Sequence, residues 1–328
     1  ELAVRGKLVP QDPNDEPASV LLEKIAAEKK QLIKDKKIKK QKPLPPTNNH
    51  TTLPNGWDIA YMQDITQVIT CGMASTPTYH ETGKIFLSAK NVKPYKFMPE
   101  NHKFVDEETF RKITKNSNPE KGDILLTRVG AGIGEAAVID IDIEFAFYVS
   151  LTLIKPFLNY FDSYFLLLWL NSPQGVKKSI DNIYGRGVSA GNLNVNQVRS
   201  FEIPIAPLAE QHRIVAKVDE LMALCDQLEQ QTEDSITAHQ TLVETLLATL
   251  TNSENTEAFN QSWARIAEHF DTLFTTEHSI DQLKQTILQL AVMGKLVPQD
   301  PNDEPASVLL EKIAAEKEQL IKDKKIKK

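Results

Sequence analysis

Apolar and polar positions alternate along this chain in three rhythms. After Asp15, Glu16 and Pro17, the residues Val20, Leu21, Ile25, Leu32 and Ile33 recur at helical spacing, with acids early and lysines late. That order predicts a capped helix whose dipole is matched by its charges. Lys34 to Lys40 then read as a solvated basic helix end, and the proline-rich stretch from Gln41 to His50 as an extended, semi-rigid linker. Between 51 and 206 the rhythm shortens to runs such as 84–88, 123–127, 136–139 and 200–205, separated by Gly, Pro and Asn, which predict strands. Residues 161–171 and 174–183 predict two short helices among them, so the segment is α+β with a mostly β core.

From Leu208 to Leu250 the rhythm lengthens. Ile214, Val218, Leu221, Cys225, Leu228, Thr232, Ser235, His239, Leu242 and Leu246 alternate four and three apart, a heptad seam. A helix over this span is roughly 64 Å long at 1.5 Å per residue, so its seam needs a partner helix. Ile280, Leu283, Ile287 and Leu290 supply a second, shorter seam, and the polar Thr232, Ser235 and His239 fix register. His239 is read as a seam residue, not a ligand.

Residues 1–40 recur as residues 289–328, differing only at Glu1/Gln289, Arg5/Met293 and Lys30/Glu318. The long offset excludes a solenoid of short repeats and implies two copies of one connector flanking a single insert. The first copy starts at a point where the second continues a helical run from Ser279 to Met293, and the chain lacks an initiator methionine, which suggests a piece of a longer protein. Four segments follow: connector helix and linker 1–46, insert 47–206, heptad helix 207–250, and distal helices with the second connector 251–328.

Charge leaves the function open. The 328 residues carry a formal net charge of −6, without the basic excess usual for nucleic-acid binders. The acid is concentrated in 207–250, while 51–206 is nearly balanced, so a DNA-binding face would have to be assembled by folding. No apolar run is long enough for a membrane span and no secretory leader opens the chain, which implies a cytoplasmic location. Cys71 and Cys225 lack ligand spacing and are expected to be reduced structural thiols.

Catalytic patterns fail one after another. Gly130, Gly132 and Gly134 tempt a nucleotide-loop reading, but Glu135 follows, so the dinucleotide fingerprint is incomplete and the glycines read as a tight strand turn. Asn118-Pro119-Glu120 lacks the second proline of the motif with which amino-methyltransferases hold a base. No serine elbow, zinc spacing or acid/base pair of carboxylates or histidines is present. The chain therefore reads as non-catalytic.

Three phrases together resemble the specificity subunits of type I restriction-modification enzymes. They are Leu53 to Trp57, Lys121 to Gly130, and Asn192 to Asn196 continuing through Ile203 to Gln211 into the heptad helix; the flanking repeat also resembles that family's connector. The resemblance implies a target-recognition domain at the insert and long conserved helices packed as an antiparallel coiled coil. Complete subunits of the family carry two recognition domains, each reading half of an interrupted site, whereas this chain carries one.

Base edges are read by polar side chains, and phosphates are held by Lys and Arg. The candidate DNA contacts are Ser75, Thr76, Thr78, Tyr79, Lys84, Ser88, Lys90, Asn91, Lys93, Arg128, Arg186, Ser189 and Asn192, with Lys90 and Asn91 foremost because they match a position resembling the family's base-contacting loop. The expected partners are double-stranded DNA, methyltransferase subunits, a restriction subunit and a second copy of the chain through the connector helices, the last giving an interrupted palindromic target. No membrane partner is expected. S-adenosylmethionine and ATP belong on the partner subunits, and this chain should hold no cofactor. The sequence leaves one alternative standing: a coiled-coil scaffold whose middle domain binds protein instead of DNA.

Overall fold

The structure, a computed structural model, describes residues 1–47, 53–115, 118–185, 191–297 and 300–327. It divides into two compact units, Glu1–Ala223 and Leu224–Lys328. In chain order the elements are α1 (Ala18–Lys34), β1 (Asp58–Tyr61), β2 (Thr66–Cys71), β3 (Lys84–Leu87), β4 (Val92–Lys93), β5 (Lys96–Phe97), β6 (Lys103–Val105), α2 (Glu107–Thr114), β7 (Ile124–Thr127), β8 (Ala136–Val138), β9 (Phe145–Phe147) and β10 (Leu151–Pro156). There follow α3 (Ser163–Leu170), α4 (Pro173–Asp181), β11 (Ile183–Tyr184), β12 (Asn192–Leu193), α5 (Val195–Arg199), β13 (Glu202–Ile205), α6 (Leu208–Thr251), α7 (Thr256–Glu268), α8 (Phe270–Leu273), α9 (Glu277–Val292) and α10 (Ala306–Lys322). The class is α+β with long helices, and the four strand runs and two short helices expected between 51 and 206 are all present.

The first unit is organised by an antiparallel sheet ordered β2-β10-β7-β8. Its inner strands, β10 and β7, are buried at every position but Lys155 because both faces are covered. On β7, Ile124 and Leu126 point into one core and Leu125 into the other; on β8, Ala136 and Val138 oppose Ala137 in the same way. The period-two alternation of a strand thus sorts one continuous apolar run between two cores. The larger core is closed by α1, α3 and the β1–β13 pair, and the smaller by the β4–β5 hairpin and the β6-β3-β9 sheet, in which β3 and β9 run parallel.

α1 lies in a seat on the larger core. Ala18, Leu21 and Ile25 are buried there, and Val4 is buried ahead of them. The expected side-chain cap is absent: the Ala18 N–H donates to the Gly56 carbonyl at 2.8 Å, and Asp15 instead takes a bidentate bond from Arg213 at 2.6 and 3.2 Å. The helix start is satisfied by the domain it packs on, a tertiary solution that local sequence does not announce.

In the second unit the end of α6 packs with α7 and α9 around Val243, Leu247, Leu250, Ile266, Leu283 and Leu290. Gln282 donates to Glu244 at 2.9 Å and the Lys295 amine to the Thr251 carbonyl at 2.9 Å, so α9 runs in the same direction as α6, with α7 returning between them. This changes the heptad reading. Ile214 is buried and Val218 half-buried, but Leu221, Cys225, Leu228 and Leu242 are exposed, and the inward positions near the end of α6 are Val243 and Leu247 with Leu246 only half-buried. A straight α-helix drifts about 20° per heptad against a 3.5-residue repeat, roughly 80° over four heptads, which is nearly one residue. That drift carries the inward face of α6 past Leu242 to Val243. On α9 the same sorting buries Leu283 and Leu290 and leaves Ile280 and Ile287 exposed.

One buried ion pair gives a pH signature. Lys155 donates to Asp123, whose carboxyl burial pushes up to about 6 against the opposing pull of the lysine. The folded chain holds that proton more tightly than the unfolded chain, so stability from this site falls as pH rises from about 4 to about 6. Melting curves of wild type and Asp123→Asn across that window should show the difference between them moving in the variant's favour with rising pH; a constant difference would contradict it.

Candidate nucleic-acid interface

The cations of the first unit are sorted by their partners. Lys84 is neutralised by Glu144 at 2.7 Å and Glu107 at 3.9 Å, Lys93 is 3.4 Å from Glu135, Arg111 bonds Glu107, and Lys177 bonds Asp181. Two sets among the lysines without an ion pair in the described residues stand near one another. One is Lys90, Lys96 and Lys103; the other is Lys37, Lys39, Lys40, Lys42 and Lys115, with Arg199 beside them.

Lys103 lies on β6, while Lys90 and Lys96 belong to the β4–β5 hairpin and its approach; the hairpin packs Val92 and Phe97 onto the smaller core and turns through Pro94 and Tyr95. Tyr95 has φ of 64°, a left-handed geometry that L side chains adopt at a cost, and its ring is 53% exposed; its N–H is held by the Ala136 carbonyl at 3.0 Å. Lys90, Lys93 and Lys96 project around this tip as exposed side chains. The hairpin is pinned from below by Asn91. That side chain is buried, accepts from the Ser88 N–H at 2.9 Å and donates to the Met98 and Asn101 carbonyls at 2.8 and 3.0 Å. Asn91 is therefore a positioning residue and not a free base contact, since every polar atom it owns is committed inside the fold. Asn91→Ala leaves two carbonyls and an N–H without partners, so a loss of about 2 kcal/mol in stability is expected, readable as a fall in melting temperature of roughly 4–8 °C.

Other expected contacts sort likewise. Ser75, Thr76, Thr78 and Tyr79 lie exposed in the loop after β2, with the Lys103 amine 4.0 Å above the Tyr79 ring. Ser88 caps the short turn that Asn91 closes. Arg128 is buried and donates to the Leu193 carbonyl at 2.9 Å, the Val149 carbonyl at 3.3 Å and the Asn192 side chain at 2.6 Å, so both Arg128 and Asn192 fasten strands together instead of facing solvent. Arg186 and Ser189 lie outside the described residues.

The second group was not singled out from the sequence, where Lys34 to Lys40 read as a solvated helix end. In the fold, Lys37, Lys39, Lys40 and Lys42 line a groove against Gln67 and Thr70 of β2, with Lys115 and Asn196. Arg199 is anchored there by the Ile69 carbonyl at 2.9 Å and Asn196 at 3.0 Å. Only the return of the linker across the edge strand brings the 37–42 run to Lys115 and Arg199. Among the described residues no group of three His, Cys, Asp or Glu is placed to hold a metal, and no helix is long and apolar enough to cross a membrane. Cys71 is half-buried and Cys225 exposed, both unbridged.

The three sequence phrases meet as joints of one frame. The Trp57 indole N–H donates to the buried Glu210 carboxylate at 3.0 Å, while Gln211 accepts from the Asp162 N–H and donates to the Ala206 carbonyl. Arg128, from the second phrase, ties to Asn192 and Leu193 of the third.

The family model of the type I restriction modification DNA specificity domain matches residues 54–238. The chain is 46% identical to the specificity subunit of the Escherichia coli type I restriction enzyme EcoAI, over 100% of this chain and 56% of that protein, and 45% identical to that of EcoEI from the same organism, over 100% and 55%. It thus spans a little over half the length of these curated relatives. The crystal structure of the HsdS subunit from Thermoanaerobacter tengcongensis aligns with 65% of this chain and 50% of its own, at 16% identity and a TM-score of 0.38. With the frame residues and the matched segment in agreement, the chain belongs to the family of type I restriction modification DNA specificity domains.

Proposed function

We propose that this chain reads one half of a bipartite DNA target for a type I restriction-modification assembly and performs no chemistry itself. The observation that carries the reading is the gathering of cations: a net acidic chain sets exposed lysines around a pinned hairpin tip and lines one groove with Lys37, Lys39, Lys40, Lys42 and Lys115. Lys90, Lys93 and Lys96 with Tyr95 suit base edges and nearby phosphates, since a two-stranded ribbon fits the major groove. The 37–42 lysines with Lys115 suit the phosphate backbone, which gives affinity without sequence information.

Methyltransferase subunits are the partners for the exposed middle of α6, where Leu221, Met222, Leu224, Leu228 and Ile236 face solvent on a helix too acidic to lie against phosphate. S-adenosylmethionine and ATP would be bound by the methyltransferase and restriction subunits. The acidic net charge and the absence of a basic run in the insert favour the scaffold alternative; the groove, lined by Lys37 to Lys42 of the linker with Lys115, weighs against it.

Methylation mapping and binding assays with the methyltransferase subunits present test the reading. Lys90→Ala with Lys96→Ala should weaken binding to the cognate site roughly 5–100-fold while reducing binding to unrelated DNA less. Equal loss on both DNAs would remove the hairpin from base reading, and no DNA binding by the wild-type assembly at any salt concentration would overturn the function itself.

A further inference from the structure

Glu135 stands immediately after the glycine turn that links β7 to β8, and its side chain meets the β4–β5 hairpin. Its backbone is fixed: the Thr127 N–H donates to the Glu135 carbonyl at 2.8 Å, and the Glu135 N–H donates to the Gly132 carbonyl at 2.9 Å. Its carboxylate makes one polar contact among the described residues, 3.4 Å from the Lys93 amine. The hairpin that carries Lys93 is tied to the same point, because the Tyr95 N–H donates to the carbonyl of Ala136, the next residue along. Gly132 leaves room for the arrangement, since a Cβ there would stand 2.5 Å from Glu135 Oε2.

Neither stability nor phosphate binding accounts for this acid. An ion pair whose side chains are 56% and 27% exposed contributes little to the fold. A carboxylate beside Lys90, Lys93 and Lys96 repels phosphate and lowers the positive field that draws DNA to the hairpin. A base edge is different, since it presents amino groups that a carboxylate accepts from.

We propose that Glu135 and Lys93 together read one G·C base pair in the major groove, the carboxylate accepting from the cytosine N4 amino group and the lysine amine donating to guanine O6 and N7. O6 and N4 are joined by a base-pairing hydrogen bond and lie about 3 Å apart. The lysine and glutamate hold a donor and an acceptor 3.4 Å apart, so the protein pair is preset to nearly that spacing. An A·T pair also sets an acceptor, O4, beside a donor, N6. There, however, the thymine methyl crowds the acceptor and the lone pair of adenine N7 faces the carboxylate, whereas guanine offers N7 and O6 together to the amine. This inference rests on the DNA-reading function proposed above and adds which side chains select which base pair.

The test uses the chain assembled with methyltransferase subunits, on the mapped site and on duplexes with each base pair of the half-site replaced in turn. Wild type should lose roughly 5–100-fold in affinity when the G·C pair is changed. Glu135→Ala should cut that loss to less than about 2-fold, keep discrimination at the other positions, and bind unrelated DNA at least as well as wild type. Lys93→Ala should relax the same pair. Gly132→Ala, which keeps the charge but pushes the carboxylate aside, should weaken the discrimination there too. If the alanine variant of Glu135 does not fold, Glu135→Gln keeps the size of the side chain, and its amide should move the preference at that pair from G·C towards A·T. Wild-type discrimination retained at every position by the Glu135 variant, relaxation at an A·T pair, or relaxation at different pairs by the Glu135 and Lys93 variants overturns this proposal and leaves the DNA-reading function standing. Failure of the wild-type assembly to bind any duplex overturns both.

Discussion

Ile25→Ala is expected to cost about 2–5 kcal/mol and lower the melting temperature by roughly 5–15 °C, while Ile313→Ala, the same change in the same helix sequence, should move it by less than about 2 °C. The first side chain is wholly enclosed by the larger core and the second is half exposed. Helix propensity and neighbouring sequence are shared, with Lys30/Glu318 the only difference within the two helices, so the pair isolates tertiary burial as the source of the effect. Thermal denaturation of the two single variants decides it. Equal shifts would mean that the second connector is buried in solution, or that α1 leaves its seat readily.

The second large effect is electrostatic. Replacing Lys37, Lys39, Lys40 and Lys42 by Gln should reduce the slope of log affinity against log salt by roughly 3 to 4, because each phosphate contact releases about 0.9 counterion. At about 0.1 M salt this corresponds to a loss on the order of 10²–10³ in affinity, shared by cognate and unrelated DNA because phosphates carry no sequence. Titrations at four or more salt concentrations with the methyltransferase subunits present measure it. A slope that stays at the wild-type value would place the phosphates elsewhere, and a loss confined to the cognate site would make these lysines base readers.

The frame was legible and the reading surface was less so, for one physical reason. Trp57, Glu210, Arg128 and Asn192 are joints of the frame, and each lies within one of the phrases that stand out along the chain. Lys90 and Lys93 are exposed around the hairpin tip, whereas Asn91 and Arg128, also expected to face DNA, bond inward. A polar residue beside a glycine or proline turn looks the same in sequence whether it faces solvent or fastens the turn. The groove of Lys37 to Lys42 escaped because its partners, Lys115 and Arg199, are far away in the chain. The heptad rhythm gave the extent of α6 to within a residue, yet its phase near Leu242 depended on whether the helix supercoils, and that is a property of its neighbours.

The placement of the α1 seat and the β4–β5 hairpin on opposite faces of the β2-β10-β7-β8 sheet has a consequence for how such a protein changes over generations. Residues around the hairpin tip can be exchanged without entering the core that holds the connector, and the connector is written nearly identically before and after the domain. Two matching stretches of protein sequence bracket the domain. They are natural crossover points, and a domain imported between them arrives with a helix on each side already shaped to receive it. A domain exchanged between the two copies would leave the joint unchanged.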